Sequence, residues 1–299
     1  MTKVETMMNY ILVLVAADRK SPLTESHLDL AGTMLGVDVL KTTWLRQGKA
    51  ADLVLARKPG PDARLRLEKL LEPDRIDYFI IADDGARKKK LLVSDMDNTV
   101  VVGETLDDLA AACGLKEEIS QITDRAMRGE LDFRAALRSR VAMLKGLNEA
   151  ALGTTCDAIR CMPGASTLVR SMQQAGAFCV LVSGGFTCFT EPVAKKLGFD
   201  VQHGNRLELD NGVLTGKVLE PVIDHKSKLQ FLKHYMEARA LDQSSTIAIG
   251  DGANDLAMLL AAGLGVGFHP KPYLKERIEN NILYGDLTAL LFVQGYTSF

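Results

Sequence analysis

Apolar and polar positions along the chain fall into two regimes. Up to about residue 85, short apolar runs alternate with helical patterns. "YILVLVAA" (10–17), "VDVLKTTWL" (37–45), "ADLVLAR" (51–57) and "IDYFIIA" (76–82) read as strands. Residues 26–35 and "PDARLRLEKLL" (61–71) carry helical spacing, and Pro61 occupies the favoured first-turn position. The order βαββαβ predicts a small split-βαβ domain over residues 1–85. "DDGARKKK" (83–90) reads as a solvated linker with a short basic run.

From Leu91 onward the pattern changes. The runs at 91–94, 177–182 and 246–250 are apolar without alternation. Strands apolar on both faces belong in a parallel sheet covered by helices, so the fold class is α/β. Between the first two runs lies a helical stretch, about Glu104 to Met172, too long for one crossover. It predicts a helical cap inserted into a domain spanning 86–299. "LELDNGVLTGKVL" (207–219) sets Asn-Gly between alternating segments, the mark of a hairpin.

Composition narrows the class. A chain of 299 residues with 47% apolar and 25% charged residues can bury a core without staples. Formal charge is 36 − 38 = −2, so no global field attracts nucleic acid or anionic lipid. No apolar stretch is long enough to span a bilayer, and "MTKVETMMNY" lacks the pattern of a secretory leader. The five cysteines are odd in number and form no C-x-x-C pair, which argues against a disulfide framework and structural zinc. The expected setting is cytoplasmic, with no nucleic-acid or membrane partner.

Candidate chemistry gathers where the apolar runs end. The first ends in "SDMDNT" (94–99), the second in "SGGF" (183–186), the third in "GDGAND" (250–255). Strand C-termini of an open parallel sheet share one edge, where ligands bind. Asp95, Asp97, Ser183, Asp251, Asn254 and Asp255 are therefore expected to converge, although each motif alone is a common turn. Carboxylates so close repel in a partly dry crevice and need a cation. Oxygen ligands without His or Cys suit Mg²⁺. The N–H groups of Gly184 and Gly185 beside it would hold a phosphate.

Periodicity selects two cations. On a helix over 226–238, Lys228 falls among Phe231, Leu232 and Tyr235, with Lys226 and Lys233 on the far side. Lys228 either serves a phosphoryl group or snorkels to water. On "ELDFRAALRSRVAMLKGL" (130–147), Arg140 lies amid the apolar stripe of Phe133, Leu137, Leu144 and Leu147. It needs an anionic partner, either a structural carboxylate or that of a substrate. Glu104, at the start of the cap, either favours its helix dipole or faces a substrate ammonium.

Together these residues resemble the haloacid dehalogenase superfamily of phosphatases. "DMDNT", "SGG", Lys228 and "GDGAND" are similar to its four motifs in order, and the likeness covers about residues 90–295. The resemblance implies a Rossmann-like core, a cap, one Mg²⁺ per site and an aspartyl-phosphate intermediate. Asp95 would be the nucleophile and Asp97 the general acid and base. Asp95, Asp251 and the backbone carbonyl of Asp97 would bind metal, supported by Asp255. Ser183, Gly184, Gly185, Lys228 and Asn254 would hold the phosphate. The branch it resembles implies L-phosphoserine as substrate, with Glu104 and Arg140 on its amino and carboxylate groups and Met127 and Phe133 shaping the pocket. Asn98 stands where the family often has Gly or Ser, a departure expected to be neutral. Residues 1–85 resemble an amino-acid-binding ACT-like domain by element order, a candidate for regulation or for pairing into a homodimer.

Overall fold

Strand β1 (Tyr10–Ala16) leads into α1 (Glu25–Leu35), β2 (Val39–Arg46), β3 (Ala50–Leu55), α2 (Pro61–Leu71) and β4 (Ile76–Ala82). The computed structural model describes residues 8–18, 20–127 and 131–299, apart from the side chains of residues 124, 126 and 127. Helix α1 begins where the Thr24 hydroxyl accepts the His27 N–H, and it ends at Gly36 in the left-handed region, φ 66°. The four strands form an antiparallel sheet, β2-β3-β1-β4. Leu12, Leu14 and Ala16 of β1 pack with α1 and α2. Ile11, Val13 and Val15 point the other way, into a core shared with the C-terminal segment. Both faces are covered, which is why β1 reads as a continuous apolar run.

The second unit starts with β5 (Leu91–Ser94). Four inserted helices follow: α3 (Thr105–Ala112), α4 (Lys116–Met127), α5 (Phe133–Met143) and α6 (Glu149–Ala158). The chain then runs through α7 (Ala165–Gln174), β6 (Phe178–Phe186), α8 (Thr187–Leu197), β7 (Val201–Asp210), β8 (Val213–Leu219) and α9 (His225–Ala238). It closes with β9 (Thr246–Gly250), α10 (Leu256–Ala261), β10 (Leu264–Phe268), α11 (Pro272–Lys275), β11 (Asn280–Ile282) and α12 (Ala289–Val293). The sheet order is β11-β10-β9-β5-β6-β7-β8, parallel except for β8.

Alternate residues of the central strands serve opposite faces. Leu92, Cys179, Leu181, Ile247 and Ile249 join one core, with α7 and α8. Leu91, Val93, Val180, Val182 and Ala248 join another, with α9 and α10. The β7–β8 turn is Asn211-Gly212 with φ 50° and 76°, as a tight hairpin requires.

Both ends of the insertion leave the core at one point. Val101 bridges Cys161, the Val102 N–H donates to Arg160 O (2.8 Å), and the Met162 N–H donates to Val100 O (2.9 Å). Helix α7, included in the cap by its position in sequence, instead lies on the sheet and buries Leu168, Val169 and Met172 there. Helical periodicity reports a buried stripe but not the layer that buries it.

The basic linker differs in part: Lys88 and Lys90 are exposed as expected, but Arg87 and Lys89 find partners. Arg87 donates to both oxygens of Asp52 at 2.6 and 2.8 Å. Lys89 is 8% exposed, its ammonium held by the carbonyls of Ala86 and Ser244 at 2.7 and 2.6 Å. A charge run reads as solvated only while its partners, distant in sequence, are unseen. Asp77, buried on β4, accepts the N–H groups of Leu283, Tyr284 and Gly285. The two units are thus joined by a shared apolar core and by buried polar contacts.

Candidate active site

The site lies at the C-terminal edge of β9, β5 and β6, which are neighbours in the sheet. Strand β5 is the switch point: the chain goes to β6 on one side and later to β9 on the other, opening a crevice. The Asp95 N–H still donates to Ile249 O (3.0 Å), so the first acid is fixed by the sheet ladder. Asp97 sits where the chain enters the turn, one carboxylate oxygen taking the Thr105 N–H at 2.9 Å and the other lying 3.4 Å from Ser183 Oγ. Both acids therefore face the same crevice.

Three acids converge more closely. One carboxylate oxygen from each of Asp95, Asp251 and Asp255 lies within 4.8 Å of the others, and all three residues are buried. Lys228 is 1% exposed, with its ammonium 2.6 Å from both Asp95 Oδ1 and Asp255 Oδ1. It points inward and does not reach water. Asp255 is held by the Gly252 N–H on its other oxygen (3.1 Å). A Cβ at Gly250 would lie 2.3 Å from Asp255 Cγ, so only glycine lets this acid approach the strand.

The Ser-Gly-Gly stretch forms the end of β6 itself, not a loop beyond it. Ser183 Oγ accepts the Gly185 N–H at 2.8 Å. A Cβ on Gly185 would lie 3.0 Å from Ser183 Oγ and 3.2 Å from Asp97 Oδ2, so a larger residue would press on both polar side chains. The Phe133 ring of the cap stands 3.4 Å from where a Gly184 Cβ would be, so the cap reaches onto this motif. Asn254, half-buried, turns its side-chain oxygen toward Gly252. Met127, expected to shape the pocket, falls outside the described side chains.

Burial and the neighbouring Asp255 push the Asp95 carboxyl well above its ordinary range; the Lys228 ammonium opposes them. Burial raises Asp97, against the Thr105 hydrogen bond, and raises Asp251, against Lys271. For Lys228, burial acts downward, but Asp255 and Asp95 outweigh it and raise it above the usual lysine range. Glu104 is pushed up to about 7, first by burial and then by the Asp97 charge.

Arg140 is half-buried in the cap, one Nη 3.1 Å from Thr123 Oγ1 and its Nε on Ala136 O at 3.4 Å. Neither contact neutralises the guanidinium, whose affinity for its proton is lowered by burial. Glu104 precedes α3 and makes no capping hydrogen bond. It is instead bound by Asn98, whose amide donates to Oε1 at 2.8 Å.

Lys271 is an addition that motif reading did not supply. Its ammonium lies 3.1 Å from Asp251 Oδ2 and 3.6 Å from Glu104 Oε1. It follows β10, a further parallel strand next to β9. The strand-end rule that found the other motifs would have reached it through "LGVGF" (264–268). Nothing local marked Thr123, which meets Arg140 only through the packing of α4 on α5.

Asp95, Asp251 and Asp255 bring three carboxylates to one point around the Lys228 ammonium, and Asp97, Glu104 and Asp107 add further acids nearby. So many acids call for a cation, and the all-oxygen donor set suits a hard divalent ion. The site can therefore hold an anion between backbone N–H groups, an ammonium and a hard cation, beside two carboxyl groups of unequal setting.

An open parallel sheet with acids, an ammonium and backbone N–H groups at one edge, and helices inserted after its first strand, fits phosphoryl-handling chemistry. The profile of the haloacid dehalogenase-like hydrolases matches residues 92–260, more than half of the chain, and the chain belongs to that family. It is 39% identical over 240 residues to the phosphoserine phosphatase SerB2 of Mycobacterium tuberculosis, covering 80% of this chain and 58% of that protein. It is 38% identical over 242 residues to the phosphoserine phosphatase of Archaeoglobus fulgidus, covering 80% and 70%. A probable phosphoserine phosphatase from Vibrio cholerae in unliganded form superposes with a TM-score of 0.77 at 29% identity, covering 97% of this chain and 87% of that one. The chain thus spans a little over half the length of its Mycobacterium relative. No helix among the described residues is long and apolar enough to cross a membrane.

Proposed function

We propose that this protein hydrolyses L-phosphoserine to L-serine and phosphate through an aspartyl-phosphate on Asp95. The observation that carries the reading is the Lys228 ammonium at 2.6 Å from both Asp95 and Asp255, with the Phe133 ring of the cap standing against Gly184. The names of its relatives support the substrate.

Asp95 would attack phosphorus in line with the seryl oxygen. Lys228 neutralises charge on the equatorial oxygens, and the Ser183 hydroxyl, the Gly184 and Gly185 N–H groups and Asn254 orient them. Burial that raises Asp97 favours its protonated form, which gives a proton to the departing oxygen. Once ionised, Asp97 accepts a proton from the water that attacks the phosphoaspartate, and this restores both residues. Asp95, Asp251 and the Asp97 carbonyl would hold Mg²⁺, with Asp255 close enough to support or join them. The ion would supply Lewis-acid stabilisation of phosphoryl charge.

Arg140 would grip the substrate carboxylate in a fork, and Glu104 would take the ammonium. Phe133 closes the apolar side. The ACT-like assignment, a regulatory or dimer-forming role for residues 1–85 and a cytoplasmic setting complete the proposal. The deciding measurement is phosphate release from L-phosphoserine with and without Mg²⁺. Turnover should need the ion and fall to background in chelator. Equal rates in both conditions, or no release at all, would remove the reading.

A further inference from the structure

Glu104 has two carboxylate oxygens, and the protein treats them differently. Asn98 Nδ2 donates to Oε1 at 2.8 Å, and the Lys271 ammonium approaches the same Oε1 at 3.6 Å. The Asn98 bond falls on Oε1 and not on Oε2. We propose that Asn98 and Lys271 hold Glu104 by one oxygen so that the other faces the substrate ammonium, which makes Asn98 a positioning residue for amino-acid specificity. This rests on the phosphoserine reading above.

The geometry of Asn98 is built for that task. It follows Asp97 directly and takes the left-handed conformation at φ 53°. Asn tolerates this region better than most residues, and Gly does so freely. The turn is closed by the Asn98 N–H on Gly103 O at 3.1 Å, which brings the residue back beside Glu104. If conformation alone mattered, glycine would serve as well. Asparagine adds a short, rigid donor that reaches the carboxylate without a flexible stem.

Lys271 comes from the opposite wall. Its own N–H donates to Asp251 O at 2.9 Å, and its ammonium reaches Asp251 Oδ2 at 3.1 Å. Glu104, at the root of the cap, is therefore tied to an acid of the metal cluster through one lysine. A carboxylate already held at one oxygen loses less further freedom when it receives the ammonium, so binding retains more of the contact energy. On this proposal the residue at position 98 bears on the amine end of the pocket.

The test compares Asn98→Gly, which keeps the turn and removes the donor, with Asn98→Asp, which keeps shape but sets a carboxylate against Glu104. KM for L-phosphoserine, relative to KM for p-nitrophenyl phosphate, should rise about fivefold or more in the glycine variant. It should rise further in the aspartate variant. In a Glu104→Gln background the glycine substitution should add nothing to that ratio, because the two residues act through one contact. An unchanged ratio in Asn98→Gly, or full additivity with Glu104→Gln, would overturn the proposal. Wild-type protein is assayed beside these variants on phospholactate, which lacks the amino group. If the wild type shows no preference for L-phosphoserine over it, the substrate reading itself fails, whatever the variants do.

Discussion

At the scale of single residues, the site runs on charges that burial makes expensive. Asp95 is 4% exposed and paired with Lys228, so Asp95→Asn should keep the fold and lose turnover entirely. Circular dichroism with a phosphate-release assay checks both halves, and retained activity would exclude it as nucleophile. Arg140→Ala should raise KM for phosphoserine about tenfold or more while acting far less on p-nitrophenyl phosphate, since a bidentate carboxylate contact contributes about 1.5–3 kcal/mol. Glu104 carries a pH dependence. Its carboxyl is raised to about 7, so it becomes neutral as pH falls through that value and attracts an ammonium less. KM for phosphoserine should climb on the acid side of about pH 7, and the climb should be smaller with phospholactate, for which Glu104 has no ammonium to hold. Parallel profiles for the two substrates would show that the titration belongs to the phosphate group.

At the scale of elements, the three motifs work because β9, β5 and β6 lie side by side and end at one edge. Their apolar runs were legible in the sequence because strands buried on both faces cannot alternate. The hairpin was legible too, since Asn211-Gly212 supplies the positive φ values that its turn demands. The cap boundary was not, because α7 carries the same periodicity whether it joins the cap or the sheet. Gly250 shows how an element sets a site: Gly250→Ala would drive a methyl group into Asp255. A displacement of that kind typically costs about 100-fold in rate. The expected result is a large fall in kcat with secondary structure intact by circular dichroism. A variant with wild-type kcat would mean that Asp255 has more freedom than this packing allows.

At the scale of the whole molecule, the N-terminal sheet is part of the catalytic unit's core. Ile11, Val13, Val15, Ala50 and Phe79 share one apolar cluster with Leu290, Leu291 and Phe292. The Arg87–Asp52 pair is partly shielded at the same junction, with side chains 21% and 8% exposed. Asp52→Ala would leave the Arg87 guanidinium only the carbonyls of Phe292 and Val293 and should cost about 1.5–3 kcal/mol, lowering Tm. Thermal unfolding should be one cooperative transition, since neither unit can melt without exposing the other's core. Two resolved transitions would contradict that coupling.

What the sequence determined alone was local: which runs bury both faces, where helices and tight turns begin, and which acids stand at strand ends. These follow from side-chain chemistry repeated at short range. The inward aim of Lys228 was legible for the same reason, because its helix carries an apolar face. Tertiary structure decided the rest: Lys271 between Asp251 and Glu104, Thr123 on Arg140, Arg87 against Asp52, and Asn98 on Glu104. Each is a polar contact whose partner is specified by how elements pack, and a single hydrogen bond or ion pair leaves no periodic trace along the chain.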